Sequence, residues 1–100
     1  MAKYKFIDLF AGCGGLEDGF LQTGKYIDIA AVEWLKPQVN TLIRRLEDKW
    51  GIKDASDRVM HFDIQRESEL FKGWNDSKFG IGKGLDYFVN KARGIDVIIG

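Results

Sequence analysis

One hundred residues suffice for one small domain. Fifteen basic residues balance fifteen acidic ones, so the chain lacks the basic excess of a stand-alone nucleic-acid binder. A hydrophobic share of 45% excludes general disorder, the single cysteine, Cys13, excludes an internal disulfide or a cysteine-rich zinc site, and no run approaches the roughly 18 apolar residues of a membrane helix. Met1 to Phe6 is not a signal peptide, because Lys3 and Lys5 precede too short an apolar stretch before Asp8; together with the lone cysteine this points to the cytoplasm.

Phe6-Ile7-Asp8-Leu9-Phe10 is a short, mostly apolar run ending in glycines and reads as a buried parallel strand. Ala11 to Gly15 forms a glycine-rich turn. Leu16 to Thr23 reads as a short helix with Leu16 and Phe20 on one face and Gly24 as its stop. Glu17 and Asp18 sit in its first turn, where carboxylates suit the helix dipole. Tyr26 to Glu33 is a second strand, apolar almost throughout from Ile27 to Val32, as a strand covered on both faces should be. Pro37 opens a second helix, in which Val39, Leu42, Ile43, Leu46 and Trp50 recur at helical spacing before Gly51 closes it. Val59-Met60-His61-Phe62 reads as a third strand ending at Asp63. Beyond Gln65 the pattern weakens: Leu70, Phe71 and Trp74 suggest one helical turn or two, Gly80, Gly82 and Gly84 a loop, and Leu85, Phe88 and Val89 another short helix stopped by Gly94. Ile95-Asp96-Val97-Ile98-Ile99 is a fourth apolar strand. This alternation predicts an α/β domain with a parallel sheet in the order 3-2-1-4, half of a doubly wound fold, with helices on both faces.

Asp8 to Gly15 places glycines between a strand and a helix. Without a Cβ, glycine lets backbone approach a ligand closely, and the helix N-terminus favours an anionic ligand group. A dinucleotide site would want G-x-G-x-x-G. Gly12 and Gly14 supply the first two positions, but Glu17 occupies the third, where it would repel a pyrophosphate. The G-x-G-G form suits S-adenosyl-L-methionine better, since that ligand carries an amino-acid head and a sulfonium in place of phosphates. Glu33 ends the second strand, where a carboxylate can accept hydrogen bonds from both ribose hydroxyls, and Trp34 can stack on an adenine face. Asp63 ends the third strand beside the same crevice, where it can accept from the adenine amino group. Read singly, Glu33 is equally a solvated strand-end carboxylate, Trp34 a core aromatic and Asp63 a turn or cap residue. Their order beyond the glycine loop favours the ligand.

D-L-F-A-G-C-G-G-L, from Asp8 to Leu16, closely resembles the first motif of the DNA (cytosine-5)-methyltransferases. Glu33-Trp34 resembles their second motif, Asp63-Ile64 their third, and Asp96 to Gly100 the strand leading into the fourth. The resemblance implies a Rossmann-like, S-adenosylmethionine-dependent methyltransferase fold, with residues 1–100 as the N-terminal part of the cofactor-binding domain and no target-recognition domain among them. It implies that the backbone of Phe10, Ala11, Gly12, Cys13, Gly14, Gly15 and Leu16 wraps the methionine part of the cofactor, with the Phe10 ring against it. Glu33 would bind the ribose, Trp34 and Ile64 sandwich the adenine, Asp63 accept from its amino group, and Asp8 orient the loop or the ammonium group. The implied activity is methyl transfer to C5 of cytosine in double-stranded DNA, of the restriction–modification type, in a prokaryotic cytoplasm.

In that family a Pro-Cys motif directly follows the segment matching Gly100, and its cysteine attacks C6 of a flipped-out cytosine. These 100 residues hold no such motif. No catalytic residue and no metal ligand is therefore assigned, the chain alone is expected to be inactive, and DNA is expected to be engaged through the remainder of the enzyme. The edge of the fourth strand, which the parent fold pairs with a fifth, is expected to invite self-association.

Cys13 lies near a helix N-terminus, which lowers a thiol pKa, but no base is apparent nearby and it would sit under the cofactor; it reads as a small loop filler. His61 reads as a packing or partly exposed strand residue. Arg44, Arg45, Glu47, Asp48 and Lys49 read as a solvated helix face, and Asp57-Arg58 and Lys72 to Lys83 carry no readable chemistry. Two other readings compete: a stand-alone cofactor-binding module without catalysis, and a methyltransferase for another substrate such as a small molecule.

Overall fold

The computed structural model describes residues 3–9 and 15–100. The expectations for Phe10, Ala11, Gly12, Cys13 and Gly14 lie outside the described residues. The described elements are β1 (Tyr4–Asp8), α1 (Gly15–Gln22), β2 (Tyr26–Glu33), α2 (Lys36–Trp50), α3 (Ala55–Arg58), β3 (Val59–His61), α4 (Glu67–Lys72), β4 (Trp74–Asp76), β5 (Gly80–Gly82), α5 (Leu85–Ala92) and β6 (Val97–Ile99).

β3, β2, β1 and β6 pair in parallel in that order. This is the Rossmann-like 3-2-1-4 arrangement the alternation predicted, with β6 as the fourth strand of the sheet. The last six residues of β2 are buried, which is why its sequence is so continuously apolar. One core cluster joins the sheet to α4 and α5 through Leu70, Leu85 and Phe88, and a second joins it to α2 and α3 through Val39, Leu42, Leu46 and Ala55. Phe6 pairs with Asp28 but Ile7 with Ala30, so Ile29 is an extra residue in β2. The bulge breaks the alternation of faces, and Ile29 and Ala30 both enter the first cluster. α2 ends as expected: Gly51 takes a left-handed φ of 65°, its N–H donates to the Glu47 carbonyl, and the Ile52 N–H donates to the Leu46 carbonyl.

Several local expectations need correction. β1 begins at Tyr4, because Tyr4 and Lys5 pair with Tyr26 and Ile27 and extend the ladder backwards. The segment 74–82 is an antiparallel hairpin. Asp76 Oδ1 makes its turn by accepting the N–H groups of Lys78 (3.0 Å) and Phe79 (2.6 Å). Gly82 is there for a close approach: a Cβ at that position would stand 2.1 Å from the Trp74 ring carbons.

α1 does not bury the Leu16 and Phe20 face. Leu16 is 53% exposed, Phe20 lies half-buried against Phe6 and Tyr26, and the buried residues of the helix are Glu17 and Asp18. Asp18 is held by α2. Its Oδ2 accepts from Arg45 Nε (2.7 Å), Arg45 Nη2 and Lys49 Nζ (3.0 Å), and its Oδ1 from Trp50 Nε1 (2.8 Å). The face expected to be merely solvated therefore fastens α1 to α2. The Arg45 hydrogen bonds, with help from Trp50 and Lys49, hold the Asp18 carboxyl well below the usual carboxylate range.

Glu17 has the opposite fate. Burial, then its hydrogen bond with Asp28 and the charges of Asp28, Asp8 and Asp18, push its carboxyl up to about 10. Its neutral, protonated form is therefore favoured beside Asp28. Asp28 Oδ1 accepts from Arg58 Nη1 at 2.9 Å, and Arg58 Nε reaches Asp54 at 2.8 Å. Arg58, which carried no readable chemistry in the sequence, thus neutralises the Asp28 carboxylate.

A group whose folded pKa is raised stabilises fully below its unfolded value, here 4.5, and less as pH climbs towards the folded value of about 10. The melting temperature of the wild-type chain should fall across that window. Glu17→Gln keeps an N–H donor for Asp28 at every pH. It should flatten the decline and raise stability at pH 8, because only the wild-type chain must take up a proton to fold there, at up to about 1.4 kcal/mol for each pH unit above the unfolded value. Thermal melts of both chains from pH 5 to 9 provide the check, and parallel curves would mean that Glu17 is ionised in the fold.

Candidate functional site

Parallel strands deliver their following turns to one edge of the sheet, and an open sheet of this kind binds ligands there. At the carboxyl ends of β1, β2 and β3, Leu9, Glu33, Trp34, Phe62, Asp63, Ile64 and Gln65 line a cavity of about 270 Å³. The structure thus brings Glu33, Trp34, Asp63 and Ile64 together. Among the described residues, Gly15 and Leu16 lie exposed at the start of α1 and do not line the cavity.

Glu33 is the last residue of β2 and is buried; its Oε2 accepts the Leu35 N–H at 2.7 Å, which fixes the carboxylate as the chain turns into α2. Trp34 is 55% exposed, so it stands at the rim and is not a core aromatic. The Trp34 carbonyl accepts from His61 Nε2 at 2.7 Å. A carbonyl only accepts, so Nε2 is the protonated nitrogen of that ring. Asp63 forms a turn in which its Oδ1 accepts the Gln65 N–H (2.9 Å) and its carbonyl the Arg66 N–H (3.2 Å).

Leu9, Trp34, Phe62 and Ile64 give the cavity apolar walls, and Glu33 and Asp63 add carboxylates. Flat apolar surface with two acceptors suits a purine nucleoside, whose ring stacks and whose hydroxyl and amino groups donate. The same carboxylates disfavour a phosphate. Among the described residues, no group of three His, Cys, Asp or Glu side chains is placed to hold a metal, and no helix is long and apolar enough to cross a membrane.

Leu9, Phe62 and Gln65 were not singled out in the sequence as site residues. The signal was present for Phe62 and Gln65, since residues flanking a strand-end Asp-Ile pair share its crevice. His61 gave no such signal, because its partner is the backbone carbonyl of Trp34, distant in sequence and just beyond the end of β2.

The family model for C-5 cytosine-specific DNA methylase matches residues 4–73. The chain is 57% identical over 37 residues to a protein of Herpetosiphon aurantiacus named type II methyltransferase M.HgiDI, covering 37% of this chain and 12% of that protein. It is 44% identical over 46 residues to DNA (cytosine-5-)-methyltransferase M.ApeKI of Aeropyrum pernix, covering 46% of this chain and 10% of that protein. A second Herpetosiphon aurantiacus protein, type II methyltransferase M.HgiGI, is 54% identical over 37 residues, 37% of this chain and 29% of that protein. The chain therefore matches only a small part of the length of these relatives. No solved structure matches it.

An adenine ring seated in the cavity would lie against Trp34. Trp34→Ala should then weaken adenosine binding by about 1–3 kcal/mol, the range for a base stacked on an aromatic side chain. Titration calorimetry measures this, and unchanged affinity would make Trp34 a bystander at the rim.

Proposed function

The chain belongs to the C-5 cytosine-specific DNA methylase family, and from that premise we propose that it is the N-terminal, S-adenosyl-L-methionine-binding part of a DNA (cytosine-5)-methyltransferase of the restriction–modification type. The observation that carries the reading is the meeting of Glu33, Trp34, Asp63 and Ile64 around one cavity at the carboxyl ends of parallel strands. Two residue pairs far apart in sequence, Glu33-Trp34 and Asp63-Ile64, each matching a separate motif, converge where a single nucleoside would fit.

In this reading Glu33 binds the ribose hydroxyls. Trp34 and Ile64 flank the adenine, and Asp63 accepts from its amino group while Oδ1 holds the Gln65 N–H. Phe10, Ala11, Gly12, Cys13, Gly14, Gly15 and Leu16 hold the methionine end. The bound cofactor supplies an electrophilic methyl group on sulfur. The substrate is cytosine in double-stranded DNA, and the type II names of two relatives favour a restriction–modification partner system. Balanced charge gives these residues no basic excess. Target recognition and attack on the base are therefore assigned to residues outside these 100, and the chain alone transfers no methyl group.

Calorimetric titration with S-adenosyl-L-methionine and, separately, with NAD tests the cofactor half. Saturable binding of the first alone, weakened at least tenfold by Glu33→Ala, is the expected result, since losing a buried acceptor of two hydroxyl donors removes more than one ordinary hydrogen bond. Binding of NAD alone, or of neither ligand by a chain that melts cooperatively, would overturn it. Labelled methyl should not pass from the cofactor to cytosine-containing DNA in the presence of the pure chain; its incorporation would overturn the assignment of catalysis elsewhere.

A further inference from the structure

The two walls of the proposed adenine subsite stand beyond the parallel ladder. The β2–β3 pairing ends at Glu33 and His61, followed by one hydrogen bond from the Phe62 N–H to the Glu33 carbonyl (3.1 Å). Trp34 and Ile64 come after that point, so the sheet alone does not set the gap between them.

The β4–β5 hairpin reaches both walls. On one side, the Phe79 ring meets His61 edge-on with centroids 4.7 Å apart, and His61 holds the Trp34 carbonyl. On the other, Phe62 immediately precedes Asp63 and Ile64. Its ring is stacked on Trp74 of β4 (3.8 Å, 14° between planes), touched edge-on by Phe79 (5.3 Å) and covered by the Arg66 guanidinium (4.9 Å). Arg66 follows the cavity-lining segment directly and is fixed by two bonds to Glu69 (2.9 and 2.6 Å) and one to Asp76 of the hairpin (2.6 Å). Asp76 also makes the turn that presents Phe79. One carboxylate therefore holds both the arginine under one wall and the aromatic ring under the other. Neither Phe79 nor Arg66 lines the cavity.

We propose that the β4–β5 hairpin sets the spacing of the adenine subsite, with Phe79 and Arg66 as positioning residues that act on Trp34 through His61 and on Ile64 through Phe62. The proposal rests on the cofactor reading above and goes beyond it, because it makes the hairpin a determinant of nucleoside affinity. A guanidinium fork that stacks and bonds in two directions is not replaced by an ammonium, and a branched aliphatic chain does not replace an edge-on ring.

The test uses the 100-residue chain with Phe79→Leu, Arg66→Lys and Asp76→Asn, each in the wild-type and Trp34→Ala backgrounds. Dissociation constants are measured for adenosine and for S-adenosyl-L-homocysteine, whose amino-acid end keeps weak binding measurable, alongside thermal melts. With Trp34 present, Phe79→Leu and Arg66→Lys should each weaken both ligands roughly three- to thirtyfold, the scale of coupling between residues sharing one network. Without Trp34 the Phe79→Leu loss should largely vanish, because the wall it positions is gone. An equal Phe79→Leu loss in both backgrounds, tracking the fall in melting temperature, would mean that the hairpin only supports the fold and would overturn the proposal. Unchanged affinity in variants that melt cooperatively would overturn it too. Asp76→Asn, which keeps an acceptor for the turn, supplies the answer where a core variant fails to fold. A folded wild-type chain that binds neither ligand would overturn the cofactor reading and this proposal together, whereas wild-type binding with indifferent variants overturns this proposal alone.

Discussion

The parallel ladder joining β1, β2 and β3 is the constraint on which the rest of the structure depends. Antiparallel strands would send alternate turns to opposite edges; parallel ones send them all to the same edge. Because Glu33 pairs with His61, the residues just beyond each, Trp34 on one side and Asp63 and Ile64 on the other, are forced into proximity. The pairing of β1 with β2 likewise brings Leu9 to that edge, where its N–H donates to the Ile99 carbonyl of β6. The place of the cavity is thus fixed by backbone hydrogen bonding before any side chain is considered. The side chains decide its character, by making the walls apolar and two of the lining groups acidic.

Elements governed by local pattern were legible in the sequence. β2 spans the residues its apolar run marks, and α2 runs between the proline and the glycine that bracket its helical repeat. Glu33, Trp34, Asp63 and Ile64 were legible as a group because strand ends announce themselves by a change from apolar to polar residues. What could not be read depends on partners distant in the chain. Trp74 and the three following glycines give helix and loop signals, yet the segment is a hairpin, because the indole of Trp74 stacks on Phe62 and Gly82 closes over it. Arg45 and Lys49 look like solvent-facing charges on a helical repeat, and nothing near them in sequence announces Asp18.

Glu17 and Asp18 show how far neighbouring carboxylates can diverge. Both are buried on α1 and both belong to the same first turn. Asp18 meets two cations and an indole N–H, so its charged form is favoured despite burial. Glu17 is buried and meets other carboxylates, so its neutral form is favoured. The helix dipole, worth about 0.3–1 kcal/mol at an exposed first turn, is too small to decide either case against effects of this size. The helix beside the glycine-rich loop is accordingly seated by polar contacts where its sequence would suggest an apolar face.

The contact between Gly82 and Trp74 has a consequence for how this chain can change over evolutionary time. The space that a side chain at position 82 would need is already filled by the indole, so the two positions are not free to drift independently. A larger residue at 82 requires a smaller one at 74, and a smaller one at 74 strips Phe62 of its stacking partner. Among relatives that keep this hairpin, the pair should vary together or not at all.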